Sequence, residues 1–197
     1  KKEGINEVDF IKIDTQGYEL SILKGSSGCI ENVIGLEVEV EFEPIYIGQP
    51  LFSEVDSYVK NKGFILIDLK RYFWKRNDNK NTGCSKGQIM FGDALYFKSP
   101  EKILSISSIS QEKIIRAIYV YLSYGYIDLS QVLLNDAKNL LEEKVYILLL
   151  NILKKYEKEK IISGNRVTRK LGFIFHKLSK FLEEGHYSGT DRIVGNL

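Results

Sequence analysis

The 197 residues are 44% hydrophobic and 27% charged with a net charge of +2, the composition of an ordinary soluble globular chain. So small a charge argues against a nucleic-acid or anionic-membrane partner, and the longest unbroken apolar run, 145–150, is far short of the ~20 residues of a membrane span. Cys29 and Cys84 have neither metal-ligand nor redox spacing; with no secretory signal at the start, they point to a reducing, cytoplasmic setting. The length allows one large domain or two small ones.

Residues 8–19 read VDFIKIDTQGYE. Val8, Phe10, Ile11 and Ile13 predict a strand over 8–13 that is covered on both faces. Asp14 stands at its end, Thr15-Gln16-Gly17 turns the chain, and a short helix follows to about Lys24 before Gly25-Ser26-Ser27-Gly28 stops it. In open α/β sheets the ligand crevice lies outside the carboxyl ends of the strands, so Asp14, Gln16 and Glu19 are candidates to face it. The competing reading makes Asp14 a helix cap and Glu19 a solvated first-turn acid.

A second strand is predicted over 33–42, with strict alternation. Ile34, Leu36, Val38, Val40 and Phe42 share one face, and Gly35, Glu37, Glu39 and Glu41 the other. Either the glutamates line a solvent face, or the last of them emerge into the same crevice as Asp14, since neighbouring strands lie ~4.8 Å apart. Residues 44–50 form a loop bounded by Pro44 and Pro50. Leu51, Phe52, Val55, Tyr58 and Val59 mark a helix that stops at Asn61-Lys62-Gly63. A third strand is predicted over 64–69. Residues 70–88 read as a polar loop carrying Lys70, Arg71, Lys75, Arg76, Lys80, Lys86 and Asp78, with Tyr72, Phe73 and Trp74 as a lid or substrate edge if the loop is not simply solvated. A fourth strand over 89–97 carries Asp93.

Beyond Pro100 the pattern is helical. Ser108 and Gln111 have capping-box spacing ahead of Ile114, Ile115, Ile118, Tyr121 and Leu122, and Gly125 ends that helix. Asp128 is placed to cap the next, whose stripe is Val132, Leu133, Ala137, Leu140 and Leu141. A third helix is predicted over about 143–160, and after Ser163-Gly164-Asn165 a fourth over about 167–184 with Leu171, Ile174, Phe175, Leu178 and Leu182 inward; the last dozen residues are polar. No fixed-period repeat is present. His176 and His186 have no partner pattern and read as structural or surface residues.

Taken together, IKIDTQGYELSILKG, LEVEVEFEPIYIGQPLF, KGFILIDL and GDALYFK resemble, in order, the FkbM-type S-adenosylmethionine-dependent methyltransferases over roughly residues 6–98. The resemblance implies a fold class: α/β, the C-terminal half of a Rossmann-like methyltransferase sheet of four strands, its last strand antiparallel and inserted between the second and third, followed by an all-α extension. The division implied is 1–99 for a partial methyltransferase domain and 100–197 for the helices. The family's strand-end acid corresponds to Asp14, its Gln-Gly-x-Glu turn to Gln16, Gly17 and Glu19, its next-strand glutamate to Glu39, and its last-strand aspartate to Asp93. On that basis Asp14 and Glu39 are the expected catalytic residues, Asp14 and Gln16 the cofactor contacts, and Glu19, Tyr46 and Asp93 the substrate contacts.

The implied cofactor is S-adenosylmethionine, and the implied reaction is methyl transfer to a hydroxyl oxygen of a sugar or other natural product. The family's Gly-rich cofactor loop and ribose-holding acid are expected upstream of these motifs; Gly25-Ser26-Ser27-Gly28 follows a helix and is not that loop. The chain therefore reads as a fragment, inactive and without cofactor affinity by itself, whose first strand exposes an edge. Two nearby carboxylates either separate their pKa values or share a divalent cation bound by oxygen ligands, and both remain open. The partners expected are a small-molecule or glycan acceptor and, through the helical half, a protein partner or a second copy. Two other classes stay in view: a non-catalytic binding or scaffold module acting through the helices, and a phosphoryl-handling doubly wound enzyme with Asp14 as its strand-end acid.

Overall fold

The computed structural model describes residues 7–26, 28–75, 87–107 and 109–163, with side chains to 156. The predicted helix over 167–184, both histidines, Cys84, Ser108, Arg76, Asp78, Lys80 and Lys86 lie outside the described residues. Four strands form one sheet: β1 (Phe10–Ile13), β2 (Gly35–Glu41), β3 (Phe64–Trp74) and β4 (Gln88–Lys98), in the order β1-β2-β4-β3. β1 and β2 are parallel, and β4 runs antiparallel to both β2 and β3. The last strand is thus inserted between the second and third, as expected, and the carboxyl ends of β1, β2 and β3 share one rim of the sheet.

Helices cover both faces. α1 (Glu19–Gly25) and α2 (Phe52–Asn61) pack on one, where Leu23, Val55 and Val59 meet Leu36, Val38, Val40 and Tyr96. The other face is met by the helical half: α3 (Pro100–Leu104), α4 (Gln111–Ser123), α5 (Ile127–Asp136) and α6 (Glu143–Ser163). There Leu95 and Phe97 of the sheet share a core with Ile103, Ile114, Ile118, Tyr121, Leu133 and Leu134. Gly35 is what lets this layer close. A Cβ at that position would stand 2.7 Å from the Phe97 ring and 2.9 Å from the Phe10 ring, so the absence of a side chain admits both aromatics. Tyr124 stacks on Phe10 at 5.1 Å. No helix among the described residues is long and apolar enough to cross a membrane.

Several local expectations are corrected. Residues 70–74 are strand, not loop: β3 runs on to Trp74 because Lys70 pairs with Asp93 and Tyr72 with Phe91 across the ladder, so charge and aromatic pairs there replace the apolar alternation. The first helix begins at Glu19, with Tyr18 rather than Asp14 at the capping position and no side-chain cap bond. α4 is capped by Ser110, whose hydroxyl accepts from Lys113 N at 3.1 Å. Asp128 does not cap α5. Gly125 at φ +82° and the Tyr126 N to Tyr121 O bond of 2.9 Å reverse the chain early, leaving Tyr126 at the capping position and Asp128 inside the first turn. The α5 stripe is also rotated: Leu133, Leu134 and Ala137 are buried, whereas Val132 and Leu140 are exposed.

Candidate functional site

The sheet face that carries Phe10, Gly35 and Phe97 changes character toward the carboxyl rim. Lys12 pairs with Glu37 at 2.5 Å, and the Tyr124 hydroxyl donates to the other Glu37 oxygen at 2.9 Å, so this glutamate is clamped between sheet and helix. One step further, Glu39 of β2 lies opposite Asp93 of β4, and Asp93 opposite Lys70 of β3. Asp14 follows directly on Ile13, the residue paired with Val38, and so falls beside Glu39. A transverse row Asp14–Glu39–Asp93–Lys70 results from nothing more than two-residue alternation and strand register.

Asp14 and Glu39 are in side-chain hydrogen-bond contact. Partial burial, the Asp14 charge and that hydrogen bond, with Glu41 and Asp93 adding to them, push the Glu39 carboxyl up to about 8. A carboxyl beside another carboxylate keeps its own proton to higher pH. At the far end of the row Asp93 accepts from the Tyr72 hydroxyl at 2.9 Å and has Lys70 Nζ at 3.7 Å. The solvent-face reading of the β2 glutamates is overturned: Glu39 is half-buried and Glu41 is 2% exposed. Glu41 belongs to the site although the sequence did not single it out. Burial, followed by the charge of Glu19, raises it to about 7.

The turn after β1 is held by Glu19, which is 1% exposed and not the solvated acid of the competing reading. One of its oxygens accepts from Thr15 N at 2.8 Å and Thr15 Oγ1 at 2.9 Å, the other from Gly17 N at 2.9 Å. Both oxygens therefore point into the chain's own turn. That turn needs the support, because Gln16 has φ +55° and Gly17 φ +102°, and a non-glycine residue in the left-handed region is strained. The Gly17 Cα lies against the 44–50 loop: a Cβ there would meet Gln49 Cβ at 3.2 Å and Tyr46 Cδ2 at 3.4 Å. Asp14, Gln16 and Tyr46 are exposed. The structure therefore gathers Asp14, Glu39 and Asp93 in one row, sets Gln16 and Tyr46 beside it, and turns Glu19 inward.

Residues 1–66, a third of the chain, match the family model described as the methyltransferase FkbM domain. The FkbM resemblance is borne out. Asp14, Gln16, Glu19, Glu39 and Tyr46 fall inside the matched segment, and Asp93 follows it. No curated protein and no solved structure matches the chain. Methyltransferases of this kind imply S-adenosylmethionine, whose sulfonium is a cation. In the row, the charges of Asp14 and Asp93 strengthen the Glu39 carboxyl's hold on its proton, a burden a neighbouring positive charge would relieve. Among the described residues there is no Gly-rich strand–turn–helix for the methionine and ribose ends. No group of three or more acidic, histidine or cysteine side chains among them is arranged to hold a metal ion.

Proposed function

We propose that this chain supplies the acceptor side of an S-adenosylmethionine-dependent methyltransferase with a Rossmann-like sheet, acting on a hydroxyl oxygen of a sugar or other natural product. The observation that carries the reading is the Asp14–Glu39 contact at the carboxyl ends of two adjacent parallel strands, inside the segment that matches the FkbM domain. The bound cofactor would supply an activated methyl group. Asp14, exposed at the rim, takes the proton from the acceptor hydroxyl as that oxygen attacks. Glu39 hydrogen-bonds Asp14 and holds it toward the acceptor, while Glu19 fixes the turn from which Asp14 projects. Gln16, at the tip of the same turn, is assigned to the cofactor, and Tyr46 and Asp93 to the acceptor; positioning supplies much of the remaining rate.

The test uses the full-length gene product with isotope-labelled S-adenosylmethionine and a panel of glycosides and natural-product alcohols. Asp14→Asn retains size and loses charge, and Glu39→Gln retains size and removes the titratable proton. Turnover is expected to fall by roughly 10²–10⁴-fold with cofactor affinity little changed, and insensitivity to chelators and added Mg²⁺ assigns the pair to proton transfer rather than cation binding. Full turnover in the double variant would overturn the proposal. The scaffold alternative retains one supporting observation, the exposed Ile147, Leu148, Ile152 and Tyr156 on α6; a folded product that transfers no methyl group and self-associates through that helix would favour it.

A further inference from the structure

Beyond the acid row, the same sheet face turns aromatic. Glu41 lies opposite Phe91, and Phe91 opposite Tyr72. The Tyr72 and Phe91 rings stack at 4.5 Å and 8°. Lys70 Nζ lies 4.8 Å from the Tyr72 ring centre, and the Tyr72 hydroxyl is held by Asp93, so Tyr72 is enclosed. Trp74 is not. It meets Phe91 edge to face at 6.0 Å, is 40% exposed, and belongs to neither core.

We infer that Trp74, backed by Phe91, is a distal acceptor subsite that stacks on a sugar ring, and that the acceptor is an extended glycan rather than a monosaccharide. The inference rests on the methyl-transfer reading of the Asp14–Glu39 pair. An indole next to carboxylates that accept hydrogen bonds suits a neutral polyol, whose C–H face covers the ring and whose hydroxyls donate to the acids. An anionic ligand is disfavoured, because the row's one ammonium, Lys70, already faces Asp93. The length follows from sheet geometry. Glu39 and Lys70 lie in one row two strand spacings apart, and Trp74 is four residues further along β3. With strands about 4.8 Å apart and a rise of about 3.3 Å per residue, the diagonal from Glu39 to Trp74 is roughly 16 Å. A single sugar ring cannot reach both, whereas a chain of several can.

Trp74 is the single tryptophan of these 197 residues, and the emission lost in Trp74→Phe reports this subsite without any need for catalysis. The full-length gene product is titrated with methyl glycosides of one, two and three sugars built from glucose, mannose or rhamnose, and emission is followed. In at least one series a saturable change is expected whose affinity rises with chain length. Phe91→Ala should weaken that binding by about 5- to 10-fold, the worth of one aromatic contact, while in Asp14→Asn the rise of affinity with chain length should persist even as methyl transfer fails. Loss of transfer with the titration intact thus separates the two proposals. Equal affinity for one sugar and three, no emission change with any glycoside, a change produced only by non-carbohydrate alcohols, or a Phe91→Ala variant that binds as the parent does would each overturn the subsite.

Discussion

Glu41 offers a test of whether the acid-rich rim stores unfavourable charge. The residue is 2% exposed, and burial together with the Glu19 charge raises its carboxyl from 4.5 to about 7. Because the folded-state value is raised, folded and unfolded chains both hold the proton below pH 4.5 and no penalty exists there. Between 4.5 and about 7 the unfolded chain ionises first, so stability falls as pH rises; above about 7 the whole penalty is present. At 1.36 kcal/mol per pH unit it amounts to roughly 3 kcal/mol. Glu41→Gln has the same shape and no charge in either state. Urea unfolding followed by circular dichroism, at pH 5 and pH 8, gives the stability of parent and variant by linear extrapolation. The advantage of the variant should be about 2–3 kcal/mol greater at pH 8 than at pH 5, and this difference cancels any cost of burying the amide. The same advantage at both pH values would refute the reasoning.

Glu19→Gln leaves one carbonyl oxygen where two carboxylate oxygens served Thr15 and Gly17, so at least one partly buried donor loses its acceptor. A loss of about 1–3 kcal/mol is expected, read as a lowered unfolding midpoint. Gly35→Ala drives a methyl group into the Phe10 and Phe97 rings and should cost about 1–3 kcal/mol; a thermal midpoint equal to the parent's would show that the rings yield freely.

The β1 turn and the β2 alternation were legible because register acts locally: once Ile13 and Val38 were inward, Asp14 and Glu39 had to fall on the other face at neighbouring strand ends. The far half of the row was harder to see. Lys70 and Tyr72 carry no apolar alternation, and only the opposite strand, twenty or so positions later, supplies the Asp93 and Phe91 that make them ladder partners. The burial of Glu19 was missed, and that of Glu41 left open, for a related reason. Sequence shows an acid in a first turn or on a strand, but the backbone donors and second carboxylate that decide its solvation come from the fold. The caps of α4 and α5 depended on which serine or aspartate the preceding turn placed at the first free N–H. Two of the four motif segments alone would not distinguish an FkbM turn from any strand–turn–helix with one acid; their order did.

One contact made far from the rim governs how the molecule can come apart. β1 is four residues long and, among the described residues, has one hydrogen-bonded neighbour, too little ladder to hold an edge strand in place. Its entry is gripped from the middle of the sequence: Lys113 Nζ, 3% exposed, meets Asp9 at 2.7 Å and Glu7 at 3.2 Å, and Arg116 reaches Asp9 at 2.7 Å and also bonds Glu7. The strand that leads into Asp14 is therefore retained by a helix more than a hundred positions later, and such long-range closure forms late in folding. Amide protons of β1 should exchange in step with opening of α4 rather than of α1, and the acid-rich end of the sheet would be assembled only after the helical half has docked. A chain cut after residue 99 would keep the motifs and lose the latch that holds them in register.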